Sequence, residues 1–170
     1  VVLGLSLTHG SFFLALKTEG GIRQDAQALG TKLGLGTAVL AVVLLLWIGL
    51  SKGTVASWIT TALAAVALLA AIFMNTKGRE GWAFIGTAVT MGMAVATYFL
   101  VLFPNVMPTT LTGGTSLTIE NAASSPLTLT IMTWAALIFT PIALLYTAWT
   151  YWVFRKRLGT HHIPKPVAVS

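Results

Sequence analysis

GTVASWITTALAAVALLAAIFMNT, residues 53–76, lies between Lys52 and Lys77 and carries no charged side chain. A helix crossing a bilayer needs roughly 20 mostly apolar residues, with about 17 to 25 usual, so this run reads as a membrane span. Three further charge-free intervals are long enough: 33–51, 81–103 and about 127–154. A fifth, 1–16, is somewhat short. The expected fold is therefore all-α, a polytopic membrane helix bundle of about five transmembrane helices: a four-helix bundle plus one truncated or peripheral helix. Residues 104–126 are then an external loop and 159–170 a cytoplasmic tail.

The composition of the 170 residues agrees: 56% are hydrophobic and 8% charged, with a mean hydropathy of +0.86, whereas soluble domains carry roughly 25% charged residues. A net charge of +6 raises nucleic-acid binding, but that needs basic residues clustered on a folded face. Here they occupy short segments between apolar runs, so no nucleic-acid partner is expected and the bias reads as topology. Lys17, Arg23, Lys32, Lys77, Arg79, Arg155, Lys156, Arg157 and Lys165 fall on one side and only Lys52 on the other. Cytoplasmic loops retain Lys and Arg, which puts the C-terminus inside and 104–126 outside. Trp82 follows Arg79, and Trp149 and Trp152 precede Arg155, where amphipathic rings settle at a headgroup layer.

With no cysteine, disulfides, thiolate zinc sites and iron–sulfur clusters are excluded. The first apolar stretch has no basic flank and no small-residue cleavage signature, so a piece of a longer chain is expected and a signal peptide is not. Ala88, Gly92 and Ala96 recur every four residues, offering one face of the fourth helix for close approach by another. Pro141 should bend the fifth helix or free a carbonyl.

His9 is the one histidine within a span, and Gly10 beside it suits the approach of a macrocycle for haem ligation. Hydrogen bonding to a neighbouring helix is the commoner role for an intramembrane histidine and is the one expected. Met91, Met93 and Met132 read as packing, and His161 and His162 as a solvated end. Glu19, Asp25, Glu80 and Glu120 are expected in loops or at helix ends, which leaves no acid in the middle of a span. Glu80 suits the positive N-terminus of the fourth helix. Lys17 and Glu19, followed by Gly20, read as a local ion pair with a glycine helix stop, ahead of a polar site for a quinone headgroup. In the outer loop, prolines and the capping groups Asn105, Asn121, Ser124 and Ser125 are expected to order two flanks as a docking cap, around a mobile tip at 112–116.

Several strings resemble one family: Thr8-His9-Gly10, Leu16-Lys17-Thr18-Glu19-Gly20, Gly78-Arg79-Glu80-Gly81-Trp82-Ala83-Phe84, Phe103-Pro104-Asn105-Val106-Met107-Pro108, Asn121-Ala122-Ala123-Ser124-Ser125-Pro126-Leu127-Thr128-Leu129 and Trp149-Thr150-Tyr151-Trp152-Val153-Phe154-Arg155. Over residues 7–158 the chain resembles the C-terminal half of subunit II of bacterial cytochrome bd quinol oxidases. The resemblance implies a complex in the bacterial inner membrane that oxidises quinol and reduces dioxygen to water, building a proton-motive force without pumping. It implies two b haems and one d haem, and the quinol site, in a partner subunit I. This chain would bind no cofactor, apart from a structural quinone in some members, and would support assembly alongside subunit I, the lipid membrane and a small accessory membrane subunit. His9, Glu19, Arg79, Trp82, Asn105, Asn121 and Ser124 are the structural or assembly candidates, with no catalytic, cofactor or metal residue. The family's acids for proton access lie in the half that precedes these residues, so no proton path is assigned. A half of a secondary transporter is the alternative, expected to show broken helices at mid-membrane.

Overall fold

The computed structural model describes residues 1–110 and 113–159. Five helices dominate: α1 Val2–Lys17, α2 Gly21–Lys52, α3 Val55–Thr76, α4 Glu80–Leu102 and α5 Pro126–Val153, with two short strands, β1 Asn105–Met107 and β2 Leu117–Thr118, between α4 and α5. Four are long and apolar enough to cross a membrane: Gly21–Trp47 within α2, then α3, α4 and α5. The shorter α1 has 16 residues, about 24 Å at 1.5 Å per residue.

The helix ends follow from local chemistry. Gly20 takes φ +68, and its positive φ, unfavourable for a side chain, turns the chain directly from α1 into α2. Thr54 and Ser57 cap α3 reciprocally, the Ser57 N–H donating to Thr54 Oγ1 at 3.2 Å and the Thr54 N–H to Ser57 Oγ at 2.9 Å. Gly78 at φ +71 closes α3, with the Arg79 N–H reaching back to Met74 O at 2.9 Å. Ser125 caps α5 ahead of Pro126.

One unit contains α1 to α4 and the segment from Arg157 onward. Its core joins Leu5, Phe12, Leu68, Ala71, Ile72 and Ala83. Glycines set the helix spacing. A Cβ at Gly30 would meet the Phe12 ring at 2.6 Å, one at Gly34 would meet Ile72 at 3.0 Å, and one at Gly86 would meet the Ala71 methyl at 2.8 Å. Hydroxyls inside the spans are satisfied along their own helices, as Thr8 to Gly4 O at 2.8 Å and Thr90 to Gly86 O at 2.9 Å. Thr97 reaches across to Thr60 at 2.8 Å.

The other unit spans residues 102–156. Here β1 and β2 pair antiparallel, Asn105 with Thr118 and Met107 with Leu117. No residue of α5 is buried, so its 28 residues, about 42 Å long, present apolar side chains all round. Within the first unit the short α1 is an integral member of the bundle through Leu5, Thr8, Ser11, Phe12 and Ala15.

Two expectations need correction. The charged stretch between the first two spans is helix, not loop, because α2 already begins at Gly21. Charge limits how much of a helix can sit in hydrocarbon but does not stop its backbone hydrogen bonds from forming in the headgroup layer or in water. The glycine of α4 in close contact among the described residues is also not Gly92 of the Ala88, Gly92, Ala96 stripe but Gly86, which is pressed on α3.

Candidate functional site

Glu80, in the first turn of α4, is 2% exposed, and a carboxylate so placed needs partners. It has three. Arg23 Nε donates to Oε1 at 2.7 Å and Gln27 Nε2 to the same oxygen at 2.6 Å. Arg157 Nη2 donates to Oε2 at 3.2 Å. Arg23 and Gln27, four residues apart on α2, share one face of that helix. Gly78 leaves open the side past which the Arg23 guanidinium runs.

Asn75, in the last turn of α3, extends the cluster by donating to Gln27 O and Thr31 Oγ1, both at 2.9 Å. Beside it the Leu158 N–H donates to Lys17 O at 2.8 Å. The ends of α1 and α3, the beginnings of α2 and α4, and the 157–158 segment are thereby fastened at one end of the bundle. Apart from Asn75 Oδ1, which is buried without a hydrogen-bond partner among the described residues, the polar groups of this cluster engage other groups of the chain, an arrangement that holds helices in register.

Deeper in the bundle, His9 Nδ1 lies 2.7 Å from Thr87 Oγ1, and the ring stacks on Phe84 with centroids 4.3 Å apart. The Thr87 hydroxyl also lies within donating distance of Phe84 O at 2.9 Å and Ala83 O at 3.2 Å, and with its proton on either carbonyl its oxygen accepts from a His9 protonated at Nδ1. His9 thus ties α1 to α4 through both its Nδ1 and its ring face.

The other sequence candidates are scattered. Glu19 is exposed in the α1–α2 turn and has no ion pair among the described residues. Arg79 and Trp82 are exposed at the end of the α3–α4 groove. Asn105 pairs in β1, and Asn121 accepts from the Thr118 N–H at 2.7 Å and donates to Ser116 O at 3.1 Å. Ser124 is exposed, and the cap of α5 is its neighbour Ser125. Of the expected tip, Thr112 lies outside the described residues, and Ser116 is tied to both Thr109 and Asn121. The tail 160–170 with His161 and His162 also lies outside them. Gln27 and Asn75 were not among the sequence candidates: Gln27 stands in the polar stretch with Arg23, Gln24 and Asp25, and Asn75 is the penultimate residue of α3, so nothing local marks either as an interhelical partner.

A family model described as "Cytochrome bd terminal oxidase subunit II" matches residues 1–154. The cytochrome bd-I ubiquinol oxidase subunit 2 of Escherichia coli (strain K12) is 28% identical over 199 residues, which cover 97% of this chain and 52% of that protein. The cytochrome bd ubiquinol oxidase subunit 2 of Bacillus subtilis (strain 168) is 31% identical over 164 residues, covering 91% and 47%. The probable cytochrome oxidase subunit 2 of Haemophilus influenzae is 29% identical over 198 residues, covering 97% and 52%. The chain spans about half the length of the curated relatives it matches.

Proposed function

This chain belongs to the cytochrome bd terminal oxidase subunit II family, and on that premise we propose that it is the assembly-bearing, haem-free part of a quinol:dioxygen oxidoreductase in the bacterial inner membrane. The whole complex oxidises quinol and reduces dioxygen to water; two b haems and a d haem reside in subunit I, which this chain supports and shields. The observation that carries the reading is the use made of polar side chains. Glu80, Asn75 and His9 are each spent on binding one helix to another. The secondary-transporter alternative finds no support, because α3 and α4 run unbroken.

An absorption spectrum of the natively purified complex is expected to show b- and d-type bands, with no haem retained by this chain expressed alone. Replacing His9 by Ala should leave all bands in place and cost about 1 kcal/mol of stability, the scale of one intramembrane side-chain hydrogen bond. Loss of a single haem band in that variant would overturn the reading.

The bundle end that holds Arg23 and Arg157 around Glu80 is the cytoplasmic end in this proposal, following the rule that short cytoplasmic segments keep Lys and Arg. Reporter fusions after Arg157 should behave as cytoplasmic, and fusions within 112–116 as external. The reverse pattern would invert the topology.

A further inference from the structure

We propose that the groove between α3 and α4 binds one anionic phospholipid, an acyl chain lying in the groove and the phosphate held by Arg79 beside the Trp82 indole. The groove encloses about 330 Å³. Its floor is made of small groups: Ala67, Ala70 and Ala71 on α3 and Gly86 on α4. The close contact of Gly86 with Ala71 and with Ala67 O keeps that floor low, and Met74, Ile85 and Val89 form the rims. From Ala67 to Met74, and from Trp82 to Val89, each helix rises about 10 Å, the depth of the upper part of an acyl chain in a hydrocarbon core about 30 Å thick. A helix with its side chains is about 10 to 12 Å across, so two turns of one occupy upwards of about 800 Å³, far more than this space. The groove takes a chain.

The charged end selects the headgroup. Arg23 and Arg157 are both committed to Glu80, whereas the exposed Arg79 guanidinium has no carboxylate and no hydrogen-bond acceptor among the described residues. Lys77, with its ammonium 5.4 Å from the Phe73 ring centroid, adds positive charge at the same level. Glu80 is adjacent in sequence, yet its carboxylate is turned inward and neutralised there. A planar guanidinium matches phosphate oxygens in pairs, and the cytoplasmic leaflet, on which basic segments lie, is the anionic one. Trp82, 63% exposed, sits where an indole prefers the headgroup boundary. A neutral quinone headgroup would leave the unpaired cation unused. The inference needs the bundle to stand in a membrane and is independent of which subunit holds the haems.

The test uses the intact complex, stripped of loosely held lipid and exchanged into vesicles of either phosphatidylglycerol or phosphatidylcholine, with retained lipid read by native mass spectrometry and the haem bands recorded as the control for folding. One phosphatidylglycerol per complex is the expected result. Arg79→Gln, on an exposed side chain outside the core, should lower its retention at least fivefold, while Arg79→Lys keeps most of it. Ala70→Phe, filling the groove from its open side, should lower retention as strongly. Equal retention of both lipids would overturn the anionic headgroup, and loss in Arg79→Gln with full retention in Ala70→Phe would overturn the seated chain. A quinone mass in place of the lipid, or indifference to Arg79→Gln, would overturn the proposal outright. The charge arm stands even if Ala70→Phe does not assemble.

Discussion

Replacing Glu80 by Ala is expected to destabilise the bundle by about 3 kcal/mol and to deplete the assembled complex. The substitution removes the one anion on which Arg23, Gln27 and Arg157 converge. It leaves two guanidinium groups facing each other across a vacated site and an amide without its acceptor. Breaking a buried ion pair from one side costs about 3 to 5 kcal/mol. The lower figure applies here, because the Arg23 and Arg157 side chains keep 36% and 31% exposure and water can rescue part of each charge. Arg157→Ala should cost far less, about 1 kcal/mol, since its bond is longer and Arg23 remains on the carboxylate. Glu80→Gln, which keeps the shape and one acceptor oxygen, should fall between them. Thermal unfolding of the purified complex and native-gel yield measure all three. If Glu80→Ala melts within about 0.5 kcal/mol of the parent, as a neutral surface change would, the cluster is ornamental.

The second large effect concerns spacing. Gly30→Leu should cost about 2 to 3 kcal/mol, in the upper part of the range for overpacking a filled interior. The added Cβ falls 2.6 Å from Phe12 Cε1 and 3.2 Å from Ser11 Cβ. Phe12 is fully buried and confined by the core that Leu68, Ile72 and Ala83 complete, so the ring has no place to retreat and α1 must lift from α2. Where lipid surrounds the helices, close backbone approach is the main source of association, which makes such a glycine costly to fill. Gly36→Leu on the same helix is the control, because nothing lies within 4 Å of its added Cβ. Equal damage from the two changes would show that the α1–α2 seam is not the cause.

The helices that cross the membrane were legible because a lipid solvent imposes a simple rule on composition. The charge-free interval 53–76 is α3 from Val55 to Thr76, 81–103 is α4 from Glu80 to Leu102, and 127–154 is α5 from Pro126 to Val153. The rule failed on α2. It begins at Gly21, well before the apolar run that starts at residue 33, since the rule measures immersion in hydrocarbon and not helical extent. That one omission also hid the site. Arg23 and Gln27 are recognisable as one helical face only when the segment holding them is known to be helix, and Glu80 then has a visible partner. Arg157 was hidden for another reason: its approach to Glu80 joins residues 77 apart, and nothing local in the sequence records that closure. The seam glycines illustrate the same limit. Gly92 in its regular stripe and Gly86 off it are equally small, and only the packing tells which of them a neighbour uses.

Glu80 acquires its partners at different times as the chain leaves the ribosome. Arg23 and Gln27 precede it, so the first half of the clamp can close once α4 is inserted. Arg157 follows 77 residues later, which at 5 to 20 residues per second is a delay of about 4 to 15 s. Throughout that interval the carboxylate is held by one guanidinium, and only a chain synthesised past α5 delivers the second. A nascent chain that stops short of residue 157 lacks the donor on Oε2, so the start of α4 is fastened to α2 but not yet to the segment that follows α5.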